Sequence, residues 1–341
     1  MTDTLLERGM DGEPGLAGLR TSLSEVLGDA CRVLAVRKLT SRVYRISLTT
    51  GGPSLSLVAK RLAQPVAQRI ELALERWLPA VGLAHVAPAL LGASVDPVAG
   101  KIWHLYEDLG ERTLEDAVPT AAAFERAVQL VATIHARFTQ DSTLAEWRAR
   151  GEDHGVAFYE SSVRGALAAV EAAVAQRDCT VDAAGSERLC ARLEGLLEQL
   201  GEMTKALVQL GGPFTLLHGD LFLKNIAQRD TGQGPNIRLL DWDRVGPGSF
   251  SYDLSTLVIR APAPHRARVV PLYRQAAAEH GLQLPADSDL RRLFAHAECA
   301  RLASMSIWIA REAAERRTPW AFEWLAEIDG WLQRAQAQCA A

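Results

Sequence analysis

The side-chain period changes once along this chain, and that change limits the folds open to it. Between about residues 30 and 110 apolar and polar positions alternate. Val43-Tyr44-Arg45-Ile46-Ser47-Leu48 carries the two-residue period of a half-buried strand. The turn residues at 50–54 (Thr-Gly-Gly-Pro-Ser) separate it from a second strand at 55–60, so the pair reads as an antiparallel hairpin. A helix is expected over 67–80, with Ile70, Leu74, Trp77 and Leu78 at helical spacing. A further strand pair is expected at 89–95 and 101–106, around a turn at Asp96-Pro97. Beyond Gly110 the period becomes helical: 121–138 shows Phe124, Val128, Leu130, Val131 and Ile134 on one broad face, and 158–175 and 186–210 are rich in Ala, Leu and Glu. Short strands at 215–217, 226–228 and 237–240, with a hairpin turn over 230–235, interrupt the helices, which resume near Tyr252. The expected class is α+β: a small antiparallel-sheet lobe over 1–108 and a larger, mainly helical lobe over 109–341.

The 341 residues suffice for two cores, and a content of 48% hydrophobic and 23% charged residues is that of an ordinary globular chain. A formal net charge of -4 argues against a nucleic-acid footprint. The amino terminus, Met1-Thr2-Asp3-Thr4-Leu5-Leu6-Glu7, has acid where a signal peptide needs base. The most apolar helical run, 165–175, contains Glu171 and is too short to span a bilayer. Cys31, Cys179, Cys190, Cys299 and Cys339 are odd in number, scattered and never spaced as CxxC, which points to reduced thiols. These features predict a cytoplasmic protein with neither nucleic acid nor membrane as partner. They do not address the oligomeric state.

The chemistry concentrates in His218-Gly219-Asp220-Leu221-Phe222-Leu223-Lys224-Asn225 and in Leu239-Leu240-Asp241-Trp242-Asp243. Phosphoryl transfer needs hard oxygen ligands for Mg²⁺, a cation on the nucleotide phosphates and a carboxylate aimed at the acceptor hydroxyl. Asp220 suits the last role. Asn225, a turn later, can offer an amide oxygen to a metal. Asp241 ends the apolar run 237–240, where a carboxylate is costly unless a cation meets it. Lys60 closes the strand 55–59 and precedes a helix bearing Glu71 and Glu75. A Lys60–Glu71 pair would turn the ammonium toward phosphates. The chain has no GxxxxGK[ST] and no GxGxxG after a strand, which weighs against P-loop and Rossmann folds.

Together these residues resemble the aminoglycoside phosphotransferase/choline-kinase-like family, a branch of the protein-kinase-like bilobal fold. The pattern HGD-x-x-x-x-N is met by His218 through Asn225, and I-D-W-(D/E) by Leu240-Asp241-Trp242-Asp243. Y-D-L is met by Tyr252-Asp253-Leu254, the hinge E-D-L-G by Glu107-Asp108-Leu109-Gly110, and the helix ending L-H-A by Ile134-His135-Ala136. The resemblance implies a hinge at about 105–110 whose main chain at Glu107 and Leu109 binds adenine. It implies Asp220 as base, Asn225 and Asp241 as Mg²⁺ ligands, Lys60 on the phosphates, and Asp253 as a buried brace for the catalytic loop. His218 and His135 would support that loop. The phosphate-covering loop, 37–42, has no glycine, so Ser41, Thr40 or basic side chains must replace close main-chain approach. Lys224 stands where the family often has a small residue.

The implied activity is transfer of the γ-phosphoryl of ATP, with GTP left open, to a hydroxyl of a small molecule. An aminoglycoside or other antibiotic, a sugar, an amino alcohol or another metabolite would all serve as acceptor. Glu312, Glu315, Glu323, Glu327 and Asp329, with Trp308, Trp320, Phe322, Trp324 and Trp331, read first as a solvated face and core. Two alternatives remain: a non-catalytic nucleotide-binding regulator of kinase shape, and a Ser/Thr protein kinase. Gly219, where such kinases commonly carry Arg, and the absence of an APE-like segment after Asp241 disfavour the last.

Overall fold

The alternating first third forms a five-stranded antiparallel sheet in the order β1-β2-β3-β5-β4. Its strands are β1 (Arg32–Lys38), β2 (Val43–Thr49), β3 (Leu55–Leu62), β4 (Leu90–Asp96) and β5 (Lys101–Glu107). The computed structural model describes residues 16–96, 100–140, 145–176, 184–232, 234–316 and 318–340. Pro97 of the expected β4–β5 turn, Gln233 of the expected 230–235 turn, Cys179 and the amino-terminal heptapeptide lie outside them, as does the Cys339 side chain.

Contacts divide the chain into two compact units, one of the residues up to 130 with Asp220–Val245, the other of 131–219 with the residues from Gly246 on. In the first, strand parity assigns each face of the sheet a task. Tyr44, Ile46 and Leu48 of β2, Leu57 and Ala59 of β3, and Trp103 and Leu105 of β5 are buried on one face. There they pack with Leu16, Leu19 and Leu23 of helix α1 (Ala17–Leu27) and its start in a single apolar cluster. The opposite parity sends Val43, Arg45, Val58, Lys60 and Tyr106 to the other face. Cross-strand register sets Lys60 beside Val43 on one side and His104 on the other.

The helix expected over 67–80 is α2 (Gln64–Glu71), continued by a π-helical stretch at Leu72–Trp77 and a closing turn at Leu78–Ala80. Pro79 has no N–H for the carbonyl four residues back, so the α ladder cannot continue unchanged into this end. Ile70, Trp77 and Leu78 are buried as their spacing predicts. The hairpin β7 (Ile226–Thr231) and β8 (Gly234–Leu239) completes this unit.

The second unit is mainly helical. After α3 (Ala121–Gln140) and α4 (Ala145–Arg150) come α5 (Val156–Ala175) and α6 (Ala184–Leu210). Later come α7 (Ser251–Arg260), α8 (Ala263–Arg266), α9 (Val269–Glu279), α10 (Asp287–Arg316) and α11 (Pro319–Ala340). One core joins Val163, Ala166 and Val170 of α5, Leu189, Leu193 and Leu196 of α6, Ala303 and Ala310 of α10, and Leu325, Ile328 and Leu332 of α11. The pair β6 (Thr215–Leu217) and β9 (Gly246–Gly248) supplies the strand that precedes the HGD segment. The Gly-Pro-Gly of β9 has no strand propensity and escaped the sequence reading. A Cβ at Gly246 would stand 2.1 Å from the Glu152 carbonyl oxygen, so only glycine fits there. Among the described residues no helix is long and apolar enough to cross a membrane.

Candidate active site

A cleft of about 320 Å³ lies within the first unit, against the non-core face of the sheet. Val43, Val58 and Lys60 line it from β2 and β3, Ile70 and Leu74 from the α2 segment, Tyr106 through Gly110 from β5 and its exit, and Asn225 and Leu240 through Asp243 from the two motif segments. Of the charged members Asp241 and Asp243 gather at Lys60, while Asp108 pairs with Arg45.

Lys60 is buried, and its ammonium forms ion pairs with Asp241 and with Asp243, the latter at 2.5 Å from Oδ1. Asp241 adopts φ 63° and ψ 60°, the one positive φ at a non-glycine residue among those described. Aspartate tolerates this left-handed conformation better than most side chains. A short turn follows in which buried Trp242 donates its indole N–H to the Leu239 carbonyl at 2.8 Å. Asp243 collects further cations: the Arg69 guanidinium donates to its carbonyl, and Arg42 stands 3.8 Å from its Oδ2. Burial raises the Asp243 pKa, as does the charge of Asp241, while Lys60 opposes them.

The expected Lys60–Glu71 pair does not form. Glu71 instead accepts His104 Nε2 at 2.9 Å, and His104 Nδ1 lies 2.8 Å from the Tyr106 hydroxyl. His104 is fully buried one strand from Lys60, nearer to hand for Glu71, while two carboxylates hold the ammonium. Burial lowers the His104 pKa, with Glu71 acting in the opposite sense. Glu75 is exposed. Ser41 is exposed at the tip of its loop and does not line the cleft, whereas Leu39 and Thr40 do. The loop is closed by the Leu39 and Thr40 N–H groups on the Val43 carbonyl and by Arg42 N–H on Thr40 Oγ1 at 3.2 Å.

Asp220 and Asn225 are brought together: the Asn225 amide donates to the Asp220 carbonyl at 2.8 Å and to its Oδ2 at 2.9 Å. The Leu240 N–H on the Asn225 carbonyl, 2.7 Å, ties that turn to the strand leading into Asp241. Asp220 itself does not line the cleft. Lys224 is exposed, with its ammonium 5.4 Å from the Phe222 ring. In the segment where a hinge is expected, the Glu107 carboxylate pairs with Arg238 and accepts the Ala89 N–H at 2.9 Å. Asp108 accepts Ser56 at 2.6 Å and the Gly110 N–H at 2.9 Å and pairs with Arg45. Burial would raise the Asp108 pKa, but these donors hold it low.

In the second unit, Asp253 on α7 is buried and accepts the N–H groups of His218, at 2.7 Å, and Gly219, at 3.1 Å. Gly219 has φ 80°, a conformation that glycine alone adopts freely, and it turns the chain just before Asp220. Burial would raise the Asp253 pKa, yet the hydrogen bonds it accepts from His135 and from the His218 N–H lower it. Of the late acids, Asp329 is buried and pairs with Arg192 at 2.5 Å, and Glu312 pairs with Arg316 at 3.0 Å. Phe322 belongs to the core, whereas Trp308, Trp320 and Trp324 are exposed. Among the described residues Cys31 and Cys190 are free thiols, and burial pushes both up, away from nucleophilic thiolates.

Sequence reasoning missed Arg69, His104 and Tyr106. The last two were legible in principle, since in strand β5 they share a parity and a face with the neighbours of Lys60.

No curated protein matches the sequence. Among solved structures the chain is similar to choline kinase LicA from Streptococcus pneumoniae, at 15% identity and TM-score 0.58, covering 94% of this chain and 97% of that one. It is similar to the aminoglycoside phosphotransferase APH(3'')-Id from Streptomyces rimosus, solved with ADP and streptomycin, at 19% identity and TM-score 0.53, covering 83% and 97%. It is also similar to the amicoumacin kinase hAmiN, solved with AMP-PNP and Ca²⁺, at 16% identity and TM-score 0.58, covering 88% of each. These likenesses show a protein-kinase-like fold. The model of the phosphotransferase enzyme family matches residues 33–295, a span that holds every residue of the cleft and the HGD loop, and the chain belongs to that family.

Proposed function

We propose that this protein transfers the γ-phosphoryl group of ATP to a hydroxyl of a small molecule, with Asp220 as the base. One observation carries the reading: Lys60, Asn225 and Asp241 share a cleft wall while Asp220 is hydrogen-bonded to Asn225. The main chain at Glu107 and Leu109, on the same cleft, is the proposed seat of the nucleobase, adenine or guanine. Asn225 and Asp241 offer an amide and a carboxylate oxygen, a donor set that fits Mg²⁺, which takes one or two carboxylates together with substrate phosphates. The chemistry such an ion supplies is neutralisation of charge on the phosphoryl oxygens. Lys60 exchanges the two aspartates for the nucleotide phosphates. Asp220, oriented by the Asn225 amide, accepts the proton of the attacking hydroxyl.

The test is incubation with MgATP and MgGTP against pooled aminoglycosides, other hydroxylated antibiotics, amino sugars and amino alcohols, following the gain of one phosphate by mass. Asp220→Ala should lower turnover by about 10²- to 10⁴-fold with the fold intact by circular dichroism. Near wild-type turnover in that variant would end the base assignment. The hold of Asp241 and Asp243 on Lys60, with the glycine-free loop, favours a second reading, a non-catalytic nucleotide binder. A thermal shift with MgATP and no phosphorylated acceptor across the panel would favour it.

A further inference from the structure

Buried His135 has no part in the transfer itself, yet its contacts lead to the catalytic loop. The ring, 1% exposed, lies between two partners. Nδ1 is 2.6 Å from the hydroxyl of Tyr273 on α9, and Nε2 is 3.4 Å from Oδ2 of Asp253. The carboxylate of Asp253 holds the His218 and Gly219 N–H groups, and Gly219 immediately precedes Asp220. Neither ring is loosely placed: Thr215 Oγ1 donates to the His135 carbonyl at 2.6 Å, and Phe250 stacks on Tyr273 with centroids 6.1 Å apart. Burial and then the charge of Asp253 push the Tyr273 hydroxyl well above its ordinary pKa, so it keeps its proton and can donate it. A neutral imidazole has one N–H to direct, and the partner of one nitrogen decides which nitrogen carries it.

We propose that Tyr273 is a positioning residue of the catalytic loop: its hydroxyl donates to His135 Nδ1, which sets the ring proton on Nε2, toward Asp253. The Asp253 carboxylate is thereby oriented to receive the 218–219 peptide groups, and the chain enters Asp220 in one conformation. The proposal rests on Asp220 as the base for its kinetic consequence, though not for its tautomer.

Tyr273→Phe deletes one oxygen and keeps the stacked ring. In proton–nitrogen correlation spectra of histidine-labelled protein, His135 should show the Nε2–H tautomer, and Tyr273→Phe should move it toward the Nδ1–H form. With the acceptor that gains phosphate in the panel, kcat of Tyr273→Phe should fall about tenfold while KM for ATP stays within about twofold. Leu332→Val, a cut in the helical core away from this chain of bonds, should lower Tm and leave kcat unchanged. His135→Gln, which keeps a donor for Asp253, should retain more kcat than His135→Leu. A His135 ring protonated at Nδ1 in the unaltered protein, or a wild-type kcat in Tyr273→Phe, would overturn the proposal. Normal turnover by Asp220→Ala would sink the base reading instead, and the tautomer would still decide the role of Tyr273.

Discussion

At the scale of single residues, Lys60 carries the most consequence. Its ammonium is the cation that Asp241 needs at the end of an apolar strand, and on the proposed function the same side chain would hold the nucleotide phosphates. Lys60→Met should raise KM for ATP about tenfold or more, the loss expected for charge-assisted hydrogen bonds, measured in the phosphorylation assay. An unchanged KM would detach Lys60 from the nucleotide. The residues that sequence made legible here are those joined by local spacing. Asp220 and Asn225 sit on one loop, and Asp241 follows the strand that pairs with it, so their meeting needs no knowledge of distant contacts. The partner of Glu71 was not legible, because cross-strand register brings His104 beside Lys60 from 44 positions away in the chain. Of the two hydroxyls expected to serve the phosphate loop, the turn closed on Val43 leaves Ser41 exposed and sets Thr40 in the cleft lining.

At the scale of elements, stability and site belong to opposite faces of the same strands. The β2, β3 and β5 residues that pack on α1 anchor the sheet, and their sequence neighbours line the cleft. The helical unit shows the complementary arrangement, an apolar stripe of α6 closed by α5, α10 and α11. Leu193 of α6 is fully buried in that stripe, so Leu193→Ala should cost about 2–5 kcal/mol in denaturant unfolding of the helical unit. A loss under about 1 kcal/mol would mean that the neighbours collapse into the gap. Periodicity revealed α3, α5 and α6 to within a few residues because each has a long amphipathic face. It did not reveal the π stretch at 72–77, where the apolar spacing hardly differs from that of an α-helix, nor β9, whose Gly-Pro-Gly carries no strand signal.

At the scale of the whole molecule, buried carboxylates make stability depend on acid. Glu298 accepts Arg260 at 2.8 Å and Arg301 at 2.5 Å, and Arg301 stacks on Tyr252 at 4.3 Å. Burial would raise the Glu298 pKa, but the two arginines hold it below its ordinary 4.5, as the donors around Asp253 hold that group below 3.8. Lowered folded pKa values give stability that is present above the unfolded values and lost as pH falls through the folded ones. Tm should therefore be steady near neutrality and fall once pH drops below about 4.5, with a shallower fall in Glu298→Gln. A Tm that declines equally in both proteins would remove Glu298 from the account. The Lys60 cluster has a different consequence. Lys60 is shared by Asp241 and Asp243, and Arg42 and Arg69 stand beside Asp243, so on the proposed function a divalent cation would have to compete with the ammonium for Asp241. On that reading a cation on Asp241 would free Lys60, and the freed lysine would meet the anion. Under the proposed function the cleft would act as a coincidence detector, in which metal and nucleotide would tighten each other's binding by the same factor.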